Sequence, residues 1–190
     1  MQITVQQYIA SQIIIAISYT CLGLTYCSKK RKIILILSFL ANFTNACAYL
    51  LLGAYTSASM CAISIARDIV FIIDEKINGK NNKIVKKDVF ILIGVYIVAI
   101  ISIILTFNGW KSLLYAVASM LYTYSIWQKN NQMYKFLGIP CYIIVIIESI
   151  VIKSILGLIL QSIVLVCTII MFIKSKKEEK QLKINNTGIN

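Results

Sequence analysis

Seven apolar runs, each close to the length of a bilayer-crossing helix, divide this chain, and lysines crowd into the gaps between them. At about 1.5 Å of rise per residue, a hydrocarbon core of roughly 30 Å takes about 20 apolar residues, and fewer where the ends snorkel. The runs are Ile9–Cys27, Ile33–Leu52, Ser57–Ile73, Val89–Phe107, Ser112–Trp127, Phe136–Ser149 and Ser154–Ile173. The fifth and sixth are the weakest. The fifth carries Ser119, Tyr122, Thr123, Tyr124 and Ser125, which suits a helix lining a bundle interior, and the sixth is short and ends at Glu148. With 59% hydrophobic residues against 14% charged, the composition is too apolar for a water-soluble surface. The expected fold class is an all-α membrane protein.

The chain carries 19 Lys and Arg against 7 Asp and Glu, a net charge of +12, and the placement of the cations decides what they are for. Four follow the first run (Lys29, Lys30, Arg31, Lys32) and five lie between the third and fourth (Lys76, Lys80, Lys83, Lys86, Lys87). Two flank the loop after the fifth (Lys129, Lys135), and five begin the tail (Lys174, Lys176, Lys177, Lys180, Lys183). The alternate loops hold only Lys111 and Lys153, and Arg67 lies inside the third run. Lys and Arg concentrate in cytoplasmic loops, so the N-terminus is expected outside and the C-terminus in the cytoplasm. Omitting any one run would scramble that partition. The first run has its positive charges behind it rather than ahead, the reverse of a secretory signal, so it reads as a retained span.

Several function classes fall away. Charges distributed between membrane runs exclude a nucleic-acid surface. With no His, the chain has no imidazole base and no His metal ligand. Cys21, Cys27, Cys47, Cys61, Cys141 and Cys167 all fall within runs, without CxxC spacing, and read as small packing residues. No catalytic residue, metal or cofactor is expected, and the chain is not read as an enzyme.

The connections follow a three, one, three pattern. Residues 1–73 form a first three-helix bundle, 74–107 a cytoplasmic loop (Asp74–Asp88) and linker helix, and 108–173 a second bundle. Residues 174–190 form a tail expected to be disordered after a short helical extension. Tight external turns, Gly53–Thr56 and Glu148–Lys153, close corresponding hairpins, and an offset of about 98 residues sets Leu24-Thr25-Tyr26 beside Tyr122-Thr123-Tyr124. An odd span between two trios gives both the same orientation, as parallel repeats about an axis along the membrane normal require. This layout resembles the SWEET sugar transporters, although a single proline, Pro140, departs from their helix-hinge prolines.

A closer resemblance lies in the residue runs. Leu51-Leu52-Gly53-Ala54-Tyr55, then Thr56-Ser57-Ala58-Ser59 and Ser64-Ile65-Ala66-Arg67, are similar to the bacterial inner-membrane family typified by YgjV, and the second half follows in outline from Ala118-Ser119 through Trp127. The resemblance implies a multi-pass protein of the bacterial inner membrane.

Polar groups inside the runs are where function is expected, because a charge near the bilayer centre costs at least ~2.5 kcal/mol on insertion scales. Arg67 either points into a cleft, toward an anionic group of a solute or a partner helix, or snorkels to the headgroups or is neutralised by adjacent Asp68. A direct pair with Asp68 is awkward, since neighbours on a helix point about 100° apart. Asn42 and Asn45 share a face one turn apart, with Ser38 one turn earlier, as a solute-path lining or as helix glue. Gln161 sits about as deep in the last run as Ser64 in the third, and Ser64, Arg67 and Gln161 are expected to converge on one cleft. Glu148 with Lys153 is expected to fasten an outer hairpin. Trp110 beside Asn108-Gly109, and Trp127 with Tyr134, are expected as interface anchors.

The reading is a small-solute transporter or permease with a polar path between two repeats; a non-transporting membrane scaffold is the alternative. Its partners are the lipid bilayer and a small polar or anionic solute. A homo-oligomer is compatible with the sequence.

Overall fold

The computed structural model describes residues 5–52, 55–78, 86–105, 110–151 and 155–187. Seven helices follow in order: α1 (Val5–Cys27), α2 (Arg31–Leu51), α3 (Tyr55–Asn78), α4 (Lys86–Leu105), α5 (Trp110–Trp127), α6 (Asn131–Val151) and α7 (Ile155–Thr187). No strand occurs among the described residues.

Five of the seven, α1, α2, α4, α6 and α7, are long and apolar enough to cross a membrane. The sequence reading placed the weak spans fifth and sixth. In the structure α6 qualifies at 21 residues, running through Pro140, whose missing N–H removes the helical donor to the Phe136 carbonyl. The helices that fall short are α3 and α5. Both are long enough, but α3 carries Ser64, Arg67 and Asp68 and α5 carries Ser119, Thr123 and Ser125, which lowers their apolarity.

Burial is inverted relative to a water-soluble protein. Ile13, Leu40, Phe43, Ile97, Ile101 and Ile163 are exposed, whereas Ser18, Thr25, Ser38, Arg67, Asp68 and Thr123 are buried. That arrangement suits hydrocarbon, which cannot satisfy polar groups on the outside.

Helix α2 packs between α1 and α3, α6 packs between α5 and α7, and α1 also packs on α7. Helix α4 touches α3 and α5 only lightly. The two trios are in register at an offset of 100, not 98: α1 and α5 end at Cys27 and Trp127, α2 and α6 span Arg31–Leu51 and Asn131–Val151, and α3 and α7 begin at Tyr55 and Ile155. Thr25 therefore corresponds to Ser125 rather than Thr123. The same two positions are bridged in both trios with donor and acceptor exchanged: Ser18 Oγ donates to the Ala41 carbonyl at 2.8 Å, and Cys141 Sγ to the Ala118 carbonyl at 3.4 Å.

The described basic residues of the loops gather at one end of the bundle. Arg31 pairs with Glu75 at 2.8 Å, Lys129 with Asp88 at 2.7 Å and Lys29 with Glu178 at 2.5 Å. Lys135 Nζ donates to Ser175 Oγ at 2.7 Å. These contacts explain two departures from the sequence reading. Asp74, Glu75 and Asp88 belong to helices rather than to a loop, and α7 continues to Thr187, where a disordered tail was expected. The extension is held by Lys29 and Lys135 and built from good helix formers. Lys80, Lys83, the Asn108-Gly109 turn, Gly53-Ala54 and Lys153 lie outside the described residues, as do the Trp110, Lys111 and Glu148 side chains.

The joint between the trios is aromatic. Tyr26 of α1 stacks on Tyr134 of α6, with ring centroids 4.8 Å apart, and meets Tyr142 edge-on at 5.6 Å. The Tyr134 hydroxyl shares a 2.7 Å hydrogen bond with Thr25 Oγ1. Gly138 makes this approach feasible, since a Cβ there would lie 2.5 Å from Tyr26 Cε1.

Candidate solute cavity and its buried ion pair

Helix α3 presents Arg67 and Asp68 about eleven residues before its end, roughly 16 Å along the axis from the basic end of the bundle. Both side chains are buried, at 4% and 0% exposure. Contrary to the expectation from helical geometry, they pair directly. Arg67 Nε and Nη2 donate to Asp68 Oδ1 at 3.0 and 2.8 Å. The short aspartate stays beside α2, and the long arginine bends back to meet it while reaching toward α5.

The remaining partners complete a ring through three helices. Ser38 Oγ and Asn42 Nδ2, both on α2, donate to Asp68 Oδ2 at 2.9 and 2.7 Å. On α5, Thr123 Oγ1 accepts from Arg67 Nη1 at 3.0 Å, and the guanidinium carbon lies 5.2 Å from the Tyr122 ring centre. The Tyr122 hydroxyl donates to Ser38 Oγ at 3.0 Å. The charges are paired and hydrogen-bonded on both sides, the condition under which a buried ion pair is tolerated.

Beside this ring lies a cavity of about 140 Å³. Asn42, Asn45, Ser64 and Arg67 all line it, together with Tyr19, Tyr49, Tyr122 and Tyr142 and the thiol-bearing Cys61 and Cys141. Four of the five residues singled out from sequence thus share one cavity. Gln161 does not reach its wall. It is buried between α6 and α1, accepting from Ser149 Oγ at 2.6 Å and donating to the Tyr19 hydroxyl at 2.8 Å, so it touches the cavity through Tyr19. The expected three-way convergence of Ser64, Arg67 and Gln161 does not form, because Ser149 and Tyr19 hold the Gln161 amide.

Sequence reasoning missed Asp68 as the centre of the ring and Tyr19 as a wall, whereas Tyr122 belongs to the polar set of the fifth run expected to line the bundle interior. A carboxylate adjacent to the only intramembrane arginine was the available signal for Asp68. Tyr19 carried none, because a tyrosine in a span reads equally well as packing.

A second cavity, of about 520 Å³, opens at the basic end, lined by Lys29, Arg31, Glu75, Gln128, Lys129 and Asn131 and reaching Ile34, Ile126 and Tyr134. Between the two linings lie Tyr26 of α1, Leu35 of α2 and Gly138 of α6, each buried.

A family model, Imp-YgjV, described as a bacterial inner membrane protein, matches residues 9–179. The chain belongs to this family. The match runs from within α1 to the extension of α7, so both trios and the Arg67–Asp68 ring lie inside the Imp-YgjV region. It agrees with the resemblance read from the Leu51–Tyr55 and Ser64–Arg67 runs and assigns an inner-membrane setting. No curated protein and no solved structure matches the chain.

Proposed function

We propose that this Imp-YgjV protein is a small-solute permease whose parallel three-helix halves, α1–α3 and α5–α7, are joined by α4 and enclose the solute path at mid-membrane. All seven helices cross the bilayer, α3 and α5 with their polar faces turned to the path, and the basic end faces the cytoplasm. The observation that carries this reading is the meeting of Asn42, Asn45, Ser64 and Arg67 on one cavity at the joint between the halves. The common offset of 100 and the gathering of the described loop cations at one end support the repeat and the orientation. In the closed form, Tyr26, Leu35 and Tyr134 shut the cytoplasmic side, and solute release needs the halves to part there. Bilayer lipids cover the exposed apolar faces. No covalent chemistry is involved.

A scaffold without transport is favoured by one observation: Arg67 and Gln161 are both hydrogen-bonded to neighbouring helices, as helix assembly requires. Flux through reconstituted liposomes separates the readings. The full chain should speed entry of small polar solutes, measured by stopped-flow light scattering, and Asn45→Trp should return the rate to that of protein-free vesicles. A folded protein that moves no solute of the panel favours the scaffold.

A further inference from the structure

Resting on the permease reading, we infer that the path takes a small uncharged solute that both donates and accepts hydrogen bonds, and that Arg67 is a brace rather than an anion receptor. Among the described residues, Arg67 is the only charged side chain lining the inner cavity, and Asp68 already neutralises it at 2.8 Å. The Asp68 carboxylate, held in place by Ser38 and Asn42, already offsets the guanidinium's charge, so an anion in the cavity would meet a neutral pair beside a fixed like charge. A cation finds no carboxylate on the wall. An uncharged molecule leaves the pair intact.

The wall also has polar groups to offer. The Asn45 and Ser64 side chains line the cavity and make no side-chain hydrogen bond among the described residues, so one amide and one hydroxyl supply donors and acceptors to a guest. The tyrosine rings bound the remaining sides. Size narrows the class further. An apolar void of about 150 Å³ accommodates benzene, so about 140 Å³ admits a solute of roughly five or six non-hydrogen atoms.

The test is radiolabelled uptake at zero membrane potential into liposomes holding the full chain, comparing glycolamide with glycolate and ethanolammonium, which differ from it mainly in charge. Glycolamide should enter about tenfold faster than into protein-free vesicles, with both ions at the protein-free rate and the gain lost in Asn45→Leu. Asp68→Asn, which unmasks Arg67, should admit glycolate. Uptake of glycolate but not glycolamide by the unaltered protein overturns the charge assignment and leaves the permease reading standing. No uptake of any of the three, with a monodisperse folded protein, overturns both. If Asp68→Asn fails to fold, the comparison in the unaltered protein decides.

Discussion

Arg31 and Asn131, one hundred residues apart, open the second helix of each trio, and each caps the other trio's first helix. Arg31 Nη2 donates to the Trp127 carbonyl at 3.0 Å and Nη1 to that of Gln128, at the end of α5. Asn131 Nδ2 donates to the Ser28 and Lys29 carbonyls, both at 3.3 Å, at the end of α1. Helix C-termini carry unsatisfied carbonyls and a partial negative charge, so both are natural targets for donors. The reciprocity ties the end of α5 to the start of α2 and the end of α1 to the start of α6, beside the aromatic joint of Tyr26 and Tyr134.

These caps are unequal. Arg31 makes charged hydrogen bonds, worth about 1.5–3 kcal/mol, whereas the neutral amide of Asn131 contributes about 1 kcal/mol. Arg31→Ala should therefore lower stability in detergent more than Asn131→Ala, read from the denaturant midpoint. Arg31→Lys should recover only part of the loss, because an ammonium cannot fork across two carbonyls.

The ion pair gives a second expectation. Asp68→Ala leaves Arg67 buried without its counter-charge and should cost about 3–5 kcal/mol. The double change Arg67→Met with Asp68→Leu removes both charges and should be markedly more stable than Asp68→Ala alone. Equilibrium unfolding of the three proteins checks the order.

Gly138 and Tyr26 form the third case. A methyl at position 138 meets the Tyr26 ring at 2.5 Å, and the ring is held by Tyr134 and Tyr142, so Gly138→Ala should cost about 1–3 kcal/mol by overpacking. In a Tyr26→Ala background the same change should cost little. A double-mutant cycle measures the difference, and additive costs would contradict the packing argument.

Much of this fold was legible because hydrocarbon imposes long apolar runs and charge sorting on any chain it holds. The seven helices and the common end for Lys29, Arg31, Lys129 and Lys135 follow from those two rules. Asn42, Asn45, Ser64 and Arg67 stood out because polar groups inside apolar runs are costly enough to need a reason, and the structure brings all four to one cavity. What escaped notice depends on side-chain reach. The Arg67–Asp68 pair was misjudged from backbone angles, since a four-bond arginine stem can bend across the gap that separates neighbouring Cβ atoms. Gln161 was misplaced because Ser149 and the distant Tyr19 hold its amide away from the cavity wall. The length of the helical extension of α7 was underestimated because Lys29 and Lys135, which hold it, lie far away in sequence.

The central claim is that the Asn42–Arg67 cavity is a water-accessible route between the two trios. It is tested most directly by placing a single cysteine at Ser64 in a chain whose native cysteines are replaced by alanine, and adding a membrane-impermeant maleimide to each face of sealed vesicles. The cysteine at position 64 should react from at least one face, while one at the lipid-facing Val70 of the same helix stays unmodified. A cysteine at 64 that reacts from neither face, yet labels fully once the protein is unfolded, would contradict the account.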